Sequence, residues 1–528
     1  MVRIARNRRG RAGERRTIRS SSACRRRRGS VALALLVASL VACHGRTSPT
    51  SGEVRLTIGY AAPAGLSELA SLLTSDILIH TGADGRVEPM LAKSWSVSDD
   101  GTSVTVELRE DVSFHDGSLF TAADAKATLD DLRELPGRLA RNPILEDIEA
   151  IVIEGPHRIR IDLTRPSAQL LLLALGVRVE KPGLGGERVG VGPFYIETQG
   201  IEETTLRAHE DYYLGRSDID KVVIKTYASV RMAWAAMMRS EIDLLFDVPI
   251  EAREFVEADT SVHLFSRDTP YAYALIFNTR RPPFDDDRVR VALSHAVDRQ
   301  AIIDGALRGW GSIASGLWPS HWVYGGKELT YDYDPEGVDR QLSDLGLFAR
   351  SPNDPDNASF PSRLRFTAIV GEDQAQLEPI ALQVQRQLRH VGVDMELDAK
   401  PQAEMDQQVE GTDWDAALLS LNTARSLGRL FMYWHSSGEF AVSGFAGADE
   451  ALDSLRSAVT EADAIKAASA FQKILFDKAP AIFLANAETT RAVGRRFVVV
   501  DEPGRDVIET LWRWGVADDR SAGATEPN

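Results

Sequence analysis

Cysteine is nearly absent from this chain of 528 residues, in which Cys24 and Cys43 are the only two. Both lie in or directly after an arginine-rich N-terminal region, so the body that follows Cys43 has no thiol with which to form a disulfide. A cysteine nucleophile and a thiolate metal site are excluded from that body for the same reason.

The short motifs of common enzyme classes are absent as well. The sequence has no G-x-x-x-x-G-K-[ST] phosphate loop, no H-E-x-x-H zinc motif and no G-x-S-x-G nucleophile turn. Its ten histidines are scattered without the spacing of metal ligands. These absences argue against the common enzyme classes and weaken a metal site, although a site that gathers distant histidines on folding stays open as an alternative. We predict no enzymatic activity, no catalytic residue, no metal site and no cofactor.

An excess of positive charge is confined to the N-terminus. Before Cys43 the chain carries twelve arginines and one acid, a local charge of +11, so a total of −16 leaves −27 for the remainder. Nucleic-acid binding needs clustered lysine and arginine against the phosphates. The acidic remainder therefore excludes a nucleic-acid partner.

No apolar run is long enough for a transmembrane helix, which takes about 20 residues. The longest at the N-terminus, Val31–Val41, follows the cationic Arg25–Arg28 and is typical of an export signal. Leu40-Val41-Ala42-Cys43 resembles the bacterial lipobox, in which cleavage precedes a cysteine that then carries lipid. We predict a lipoprotein signal peptide over residues 1–43 and a flexible tether over 44–52. The mature protein would be exported, periplasmic or at the cell surface, and anchored to the membrane through lipid; an ordinary signal peptide is the alternative.

Strand and helix patterns alternate along the body, which favours an α/β fold. Residues 104–108 alternate between apolar and polar side chains, as in a half-buried strand. Asp116-Gly117 is a turn dipeptide, and Thr121 with Asp124 resembles a capping box that starts a helix. His115 and Asp116 have the composition of a general base with its orienting carboxylate, but this pattern places them at a strand-to-turn junction.

Several segments resemble, in order and spacing, family 5 of the bacterial extracellular solute-binding proteins, which serve ABC transporters of peptides, nickel complexes and some oligosaccharides. The best match includes the Phe-His-Asp-Gly motif and its surroundings. The matching segments are Glu88–Ala125, Gly190–Phe194, Asp211–Lys225, Arg239–Leu245, Phe277–Arg299, Tyr333–Leu342 and Tyr433–Gly438.

The resemblance implies an α/β, two-lobed periplasmic-binding-protein-like fold (type II, cluster C), with a ligand cleft between the lobes and hinge strands. Lobe 1, with an extra subdomain, would cover residues 53–270 and be rejoined by 483–514. Lobe 2 would cover 271–482, and 515–528 would be a disordered tail. Tyr271–Asn278 and Ala481–Ala487 would be the strands that cross between the lobes.

The resemblance also implies a function, which is capture of a small-molecule or peptide ligand and its delivery to the permease subunits of an ABC importer. The protein would act as a monomer. Two alternatives stay open: a sensor that presents its solute to a receptor, and a secreted hydrolase that uses His115 and Asp116. A metal chelate as cargo is permitted by the family but is not supported by the scattered histidines.

Peptide-binding members of the family hold the ligand's ammonium with an aspartate after the strand that begins here at Trp414. In this sequence Ala424 falls near the expected aspartate and is followed by Arg425, and no acid occurs between Asp415 and Trp434. An enclosed ammonium without a countercharge carries a large desolvation cost. We therefore expect a ligand that is neutral or anionic at this end. The candidate ligand-binding residues are Tyr60, Tyr271, Asn278, Trp414, Asn422, Arg425 and Trp434.

Overall fold

The computed structural model of the protein describes most of the body that follows the predicted signal peptide and tether. Cys43, Arg425 and most of the predicted C-terminal tail lie outside the described residues. Those residues are 52–61, 66–134, 143–183, 187–314, 316–318, 322–325, 329–348, 362–422, 427–438, 441 and 443–517.

The described residues form strands and helices that alternate along the chain, as the sequence pattern predicts. The strands are β1 (Arg55–Tyr60), β2 (Ile79–Thr81), β3 (Val87–Pro89), β4 (Ala92–Val97), β5 (Ser103–Leu108), β6 (Ile148–Gly155), β7 (Arg158–Leu163), β8 (Glu180–Pro182), β9 (Arg188–Gly190), β10 (Phe194–Gln199), β11 (Glu203–Ala208), β12 (Lys221–Thr226), β13 (Leu244–Leu245), β14 (Val262–Phe277), β15 (Ser312–Ile313), β16 (Leu364–Gly371), β17 (Val393–Lys400), β18 (Ala416–Asn422), β19 (Ala481–Gly494), β20 (Phe497–Val498) and β21 (Gly515–Val516). The helices are α1 (Leu66–Thr74), α2 (Ala122–Glu134), α3 (Pro143–Glu146), α4 (Ala168–Ala174), α5 (Val230–Met238), α6 (Arg253–Glu257), α7 (Asp287–His295), α8 (Arg299–Gly305), α9 (Pro335–Asp344), α10 (Leu377–His390), α11 (Gln402–Glu410), α12 (Leu427–Trp434), α13 (Asp449–Arg456) and α14 (Glu461–Lys478).

A large mixed sheet runs through the molecule in the order β10-β11-β12-β1-β13-β19-β14-β18-β16-β17, with β15 beside β19. One end of the sheet contains β1, β12 and β13 in parallel, and the other contains β16, β17 and β18 in parallel. The long antiparallel pair of β14 and β19 belongs to both ends and connects them. The two strands predicted to cross between lobes are therefore neighbours in one sheet.

A separate four-stranded antiparallel sheet, β4-β5-β7-β6, lies in the first half of the chain. Burial along β5 alternates residue by residue, which confirms the predicted half-buried strand. The predicted capping box is also present: the Thr121 backbone N–H and hydroxyl both donate to the Asp124 carboxylate, at 2.8 and 2.7 Å. Gly117 has a φ of +81°, the left-handed region that makes glycine the favoured residue in this turn.

The apolar side chains of the predicted helices face the core. On α7 and just beyond it, the five residues that share one face are all at least 97% buried: Val289, Ala292, Leu293, Ala296 and Val297. Helix α10 ends before Gly392, which has a φ of +78°, a backbone conformation that closes a helix.

Candidate ligand-binding site

The two groups of parallel strands end opposite each other. Strands β1 and β13 end side by side at Tyr60 and Leu245 and run in the same direction as β14. Strand β18 runs against β14, with Asn422 opposite Tyr271. Both groups therefore direct their carboxyl ends at the middle of β14. Ligands of open α/β sheets bind beyond the carboxyl ends of the strands, so a cleft lies here.

The pairing of β14 with β19 is interrupted at the same place. Register is regular up to Asp268, which lies opposite Glu488, and resumes at Ala272, which lies opposite Asn486. Between them Pro270 has no N–H to donate, and the Thr269 hydroxyl donates to the Ala487 carbonyl oxygen at 2.8 Å. The regular ladder of hydrogen bonds between the two strands is therefore broken at the cleft.

Three of the predicted ligand-binding residues are at this cleft. Tyr271 lies in the interrupted segment with 41% of its surface exposed, and its neighbour across the strand pair is Asn422. Tyr60 ends β1, where its ring contacts that of Phe246 edge to face with centroids 5.1 Å apart. The residues that follow Asn422, including Arg425, lie outside the part of the chain that the structure describes.

Asn278 and Trp414 are together, but at the opposite end of the same strand pair. The Asn278 side-chain amide donates to the Thr412 and Trp414 carbonyl oxygens at 3.0 and 2.9 Å, and its oxygen accepts from Arg280. Seven residues of strand separate Asn278 from Tyr271, about 24 Å at 3.4 Å per residue. A small solute cannot contact both ends, so we assign Asn278 and Trp414 to packing.

Trp434 also packs inside the protein. It is 3% exposed at the end of α12, and its ring centroid lies 6.0 Å from that of Phe483. Because Trp434 is buried, it can affect a solute in the cleft only through the residues that pack around it. We therefore centre the candidate site on Tyr60, Tyr271 and Asn422.

A family model for bacterial extracellular solute-binding proteins, family 5 (middle region), matches residues 86–441. The chain belongs to this family. It is similar to the glutathione-binding protein GsiB of Escherichia coli O1:K1, at 25% identity over 405 residues that cover 73% of this chain and 76% of the relative. Its fold is similar to that of NikA from Brucella suis in complex with Fe(III)-EDTA (TM-score 0.77, 21% identity, 87% of this chain and 100% of that one). The fold is also similar to that of the oligopeptide-binding protein AppA from Bacillus subtilis in complex with a nonapeptide (TM-score 0.69, 19% identity, 88% of this chain and 100% of that one).

These likenesses confirm the fold class of the family 5 protein, an α/β periplasmic solute-binding architecture. The relatives are binding proteins, not enzymes. No helix among the described residues has the length and apolar character needed to cross a membrane. Nor do three or more histidine, cysteine, aspartate or glutamate side chains gather as metal ligands within that part of the chain.

His115 and Asp116 of this family 5 protein do not act on each other. The His115 Nε2–H donates to the Gly192 carbonyl oxygen at 3.0 Å, whereas Asp116 pairs with Lys181 at 2.7 Å. Burial lowers the pKa of His115 to about 4, and the bond from Lys181 lowers the pKa of Asp116 to about 2. The geometry of a base oriented by its carboxylate is missing, so these residues connect chain segments instead.

The sequence did not indicate a group of charged residues that surrounds the cleft floor. Arg491 of β19 pairs with Asp506 at 2.8 Å and lies over the Phe246 ring, 3.7 Å from its centroid. Arg253 of α6 pairs with Glu488 at 3.2 Å. Glu488 and Arg491 are the two charged residues of β19, and their presence within a strand is the signal that marks this group.

Asp247 follows β13 and completes the group. Its side chain is exposed to solvent, yet the surrounding protein desolvates it and raises the pKa of its carboxyl, against the attraction of Arg491 and Arg253. Asp247 directly follows Phe246, whose ring contacts that of Tyr60 at the end of β1.

Proposed function

We propose that this protein is the extracytoplasmic solute-binding subunit of an ABC importer. It encloses a peptide-like or other small polar solute in the cleft and delivers it to the membrane permease. The observation that carries the proposal is the pair of opposed strand ends with the interrupted β14–β19 segment between them. Two halves joined in this way close around a ligand by a hinge movement at a few residues.

We also propose the division of the chain that the family implies, with lobe 1 over residues 53–270 and 483–514, lobe 2 over 271–482, and a monomeric state. The ligands of the similar proteins, namely glutathione, a nonapeptide and an iron chelate, support a polar solute without selecting one. Closure brings Tyr60 of lobe 1 toward Tyr271 and Asn422. The rings of the two tyrosines then exclude water, and their hydroxyls supply hydrogen bonds to the enclosed solute.

A thermal-shift screen of the purified protein against peptides, glutathione, sugars, opines and metal chelates tests this proposal. A true ligand at 100 times its dissociation constant adds about 2.7 kcal/mol to the free energy of unfolding. We expect Tyr271→Ala to weaken the binding of that ligand about tenfold, equal to about 1.4 kcal/mol. The matched control is Tyr333→Ala, because Tyr333 is exposed to a similar extent, 43%, ahead of helix α9. A complete absence of stabilisation across the screen would contradict solute binding.

The sensor alternative differs only in the protein that receives the solute. Loss of solute uptake after deletion of the partner permease, with unchanged binding by the purified protein, supports the importer. Retained uptake favours a sensor. The hydrolase alternative requires turnover that disappears in His115→Ala, and a solute recovered unmodified after incubation counts against it.

Anchoring through Cys43 is a second proposal, supported by the lipobox-like Leu40–Cys43. We expect the protein from producing cells to enter the detergent phase in a Triton X-114 partition. Cys43→Ala should move it to the aqueous phase, because the thiol that accepts the lipid is gone. Cys24→Ala is the control and should leave the partition unchanged. If Cys43→Ala still enters the detergent phase, the anchor is not at this residue.

A further inference from the structure

A cavity apart from the cleft lies between helix α8, the end of helix α14 and the start of strand β19. Its volume is about 390 Å³, and because part of that space is open to solvent, the enclosed part suits a ligand of a few heavy atoms. Ala481 in its wall precedes Asn486 by five residues of β19, about 17 Å from the cleft at 3.4 Å per residue. The wall is mostly apolar, with Ala314, Leu317, Leu329, Leu475, Phe476, Ala481 and Phe483.

Arg299, at the start of α8, brings a positive charge into this wall. It is 5% exposed, its Nε–H donates to the Phe483 carbonyl oxygen at 2.7 Å, and Nη1 donates to the Ser294 and Val297 carbonyl oxygens, both at 3.3 Å. The guanidinium lies over the Tyr331 ring, 5.4 Å from its centroid. None of these partners is an anion, so no residue that the structure describes neutralises the charge.

One nitrogen of this guanidinium has no partner. Nη2 makes no hydrogen bond with a described residue, and it is not among the polar atoms that the surrounding chain closes off from solvent. The other polar side chains of the wall have no donor left for a ligand: the Tyr331 hydroxyl donates to the Phe476 carbonyl oxygen, and Gln472 Nε2 donates to the carbonyl oxygens of Tyr324 and Gly325. The cavity therefore combines one cationic donor with apolar walls, and a buried cation without a counterion is costly.

Arg290 of the neighbouring helix α7 shows the arrangement of an arginine with a structural role alone. It is 3% exposed, and all of its guanidinium nitrogens donate to backbone carbonyl oxygens, those of Phe284, Lys478 and Ala479. Arg290 does not line the cavity. Arg299 has the same kind of partners but keeps Nη2 for the cavity, and this difference indicates a ligand.

We propose that this cavity binds a short aliphatic monocarboxylate, of about the size of propionate. The carboxylate accepts a charge-assisted hydrogen bond from Arg299 Nη2 and neutralises the guanidinium, while the hydrocarbon part packs against Leu475 and Phe483. An anion with polar oxygens on every side, such as phosphate, would leave some of them without partners against the apolar wall. This site is additional to the cleft and does not depend on the solute that the cleft encloses.

Propionate and its uncharged analogue propionamide test the inference. Each is titrated into the purified full-length protein at constant ionic strength, and saturation-transfer NMR gives the dissociation constants. Because hydrogen bonds to charged groups are stronger than neutral ones, we expect propionate to bind about 10- to 100-fold more tightly than propionamide. Arg299→Gln should weaken propionate binding by a similar factor. Arg290→Gln is the matched control and should change it by less than about twofold.

Two further variants decide the matter even if Arg299→Gln does not fold. Ala481→Leu fills the cavity and leaves the backbone bonds of Arg299 in place, so it should weaken propionate binding about tenfold or more. Tyr271→Ala alters the cleft and should leave propionate binding unchanged.

The site is overturned if propionate does not bind, if both probes bind equally, or if Ala481→Leu binds propionate like the unaltered protein. An equal loss in Arg299→Gln and Arg290→Gln shows a structural effect and overturns it too. Loss of propionate binding in Tyr271→Ala places the probe in the cleft, which contradicts the second site while the proposed solute-binding function stands.

Discussion

Replacing Asp147 by asparagine should lower the free energy of unfolding by about 3–5 kcal/mol. Asp147 is 2% exposed between α3 and β6, and its carboxylate accepts two hydrogen bonds from Arg456, from Nε at 2.9 Å and Nη2 at 2.7 Å. Asparagine keeps the size of the side chain but removes its charge. The Arg456 guanidinium, which is 89% buried, would then lose the carboxylate with which it pairs, and so would Arg165, whose Nε lies 3.1 Å from Asp147.

Urea unfolding followed by circular dichroism measures this loss. The control is Asp477→Asn, which breaks an ion pair with Lys473 on the exposed face of α14. Pairs of this kind contribute about 0.3–0.5 kcal/mol, so the control should stay close to the unaltered protein. If Asp147→Asn is destabilised no more than Asp477→Asn, the buried ion pair between α13 and the residue that precedes β6 does not contribute to stability as expected.

Gly190→Ala should destabilise the protein by about 3 kcal/mol or prevent it from folding. A Cβ atom at Gly190 would lie 1.9 Å from the Thr74 carbonyl oxygen and 2.9 Å from its carbon. Both are backbone atoms at the end of helix α1, so no side chain can turn aside. Strand β9 and helix α1 would have to move apart to admit a single methyl group. This close approach of two backbones explains why the first residue of the Gly190–Phe194 motif is glycine.

Gly515→Ala is the matched control, because a Cβ at Gly515 meets nothing within 4 Å and the residue is not in the left-handed region. Soluble yield and melting temperature are compared for the two variants. A melting temperature of Gly190→Ala within 1 °C of the control would show that β9 and α1 are not in contact in the folded protein.

The sequence predicted those parts of the fold that depend on near neighbours. The alternation of β5 and the Thr121–Asp124 cap each involve a few consecutive residues, whose periodicity and backbone preferences are visible in the chain. The family motifs then supplied the order of segments. That combination was sufficient for the α/β class.

The site was predicted less well, because it depends on pairs that are distant in sequence. Trp414 and Asn422 are close along the chain, but an extended strand separates them by many ångströms, and only Asn422 reaches the cleft. Phe246 and Arg491 are 245 residues apart and lie together through the pairing of β13 with β19. No local pattern encodes such a meeting, so this contact could not be predicted from the sequence.

The Phe-His-Asp-Gly motif makes this fold sensitive to acid. His115 and His209 both donate to the single carbonyl oxygen of Gly192, at 3.0 and 3.2 Å, with their rings 5.0 Å apart. Burial lowers the pKa of each imidazole below its value in the unfolded chain. The unfolded chain therefore takes up protons first as the pH falls from about 6.5 toward 4, and the folded state loses stability across that window. The histidine of this motif, whose composition suggests proton transfer, is therefore kept neutral in the folded protein, as is His209.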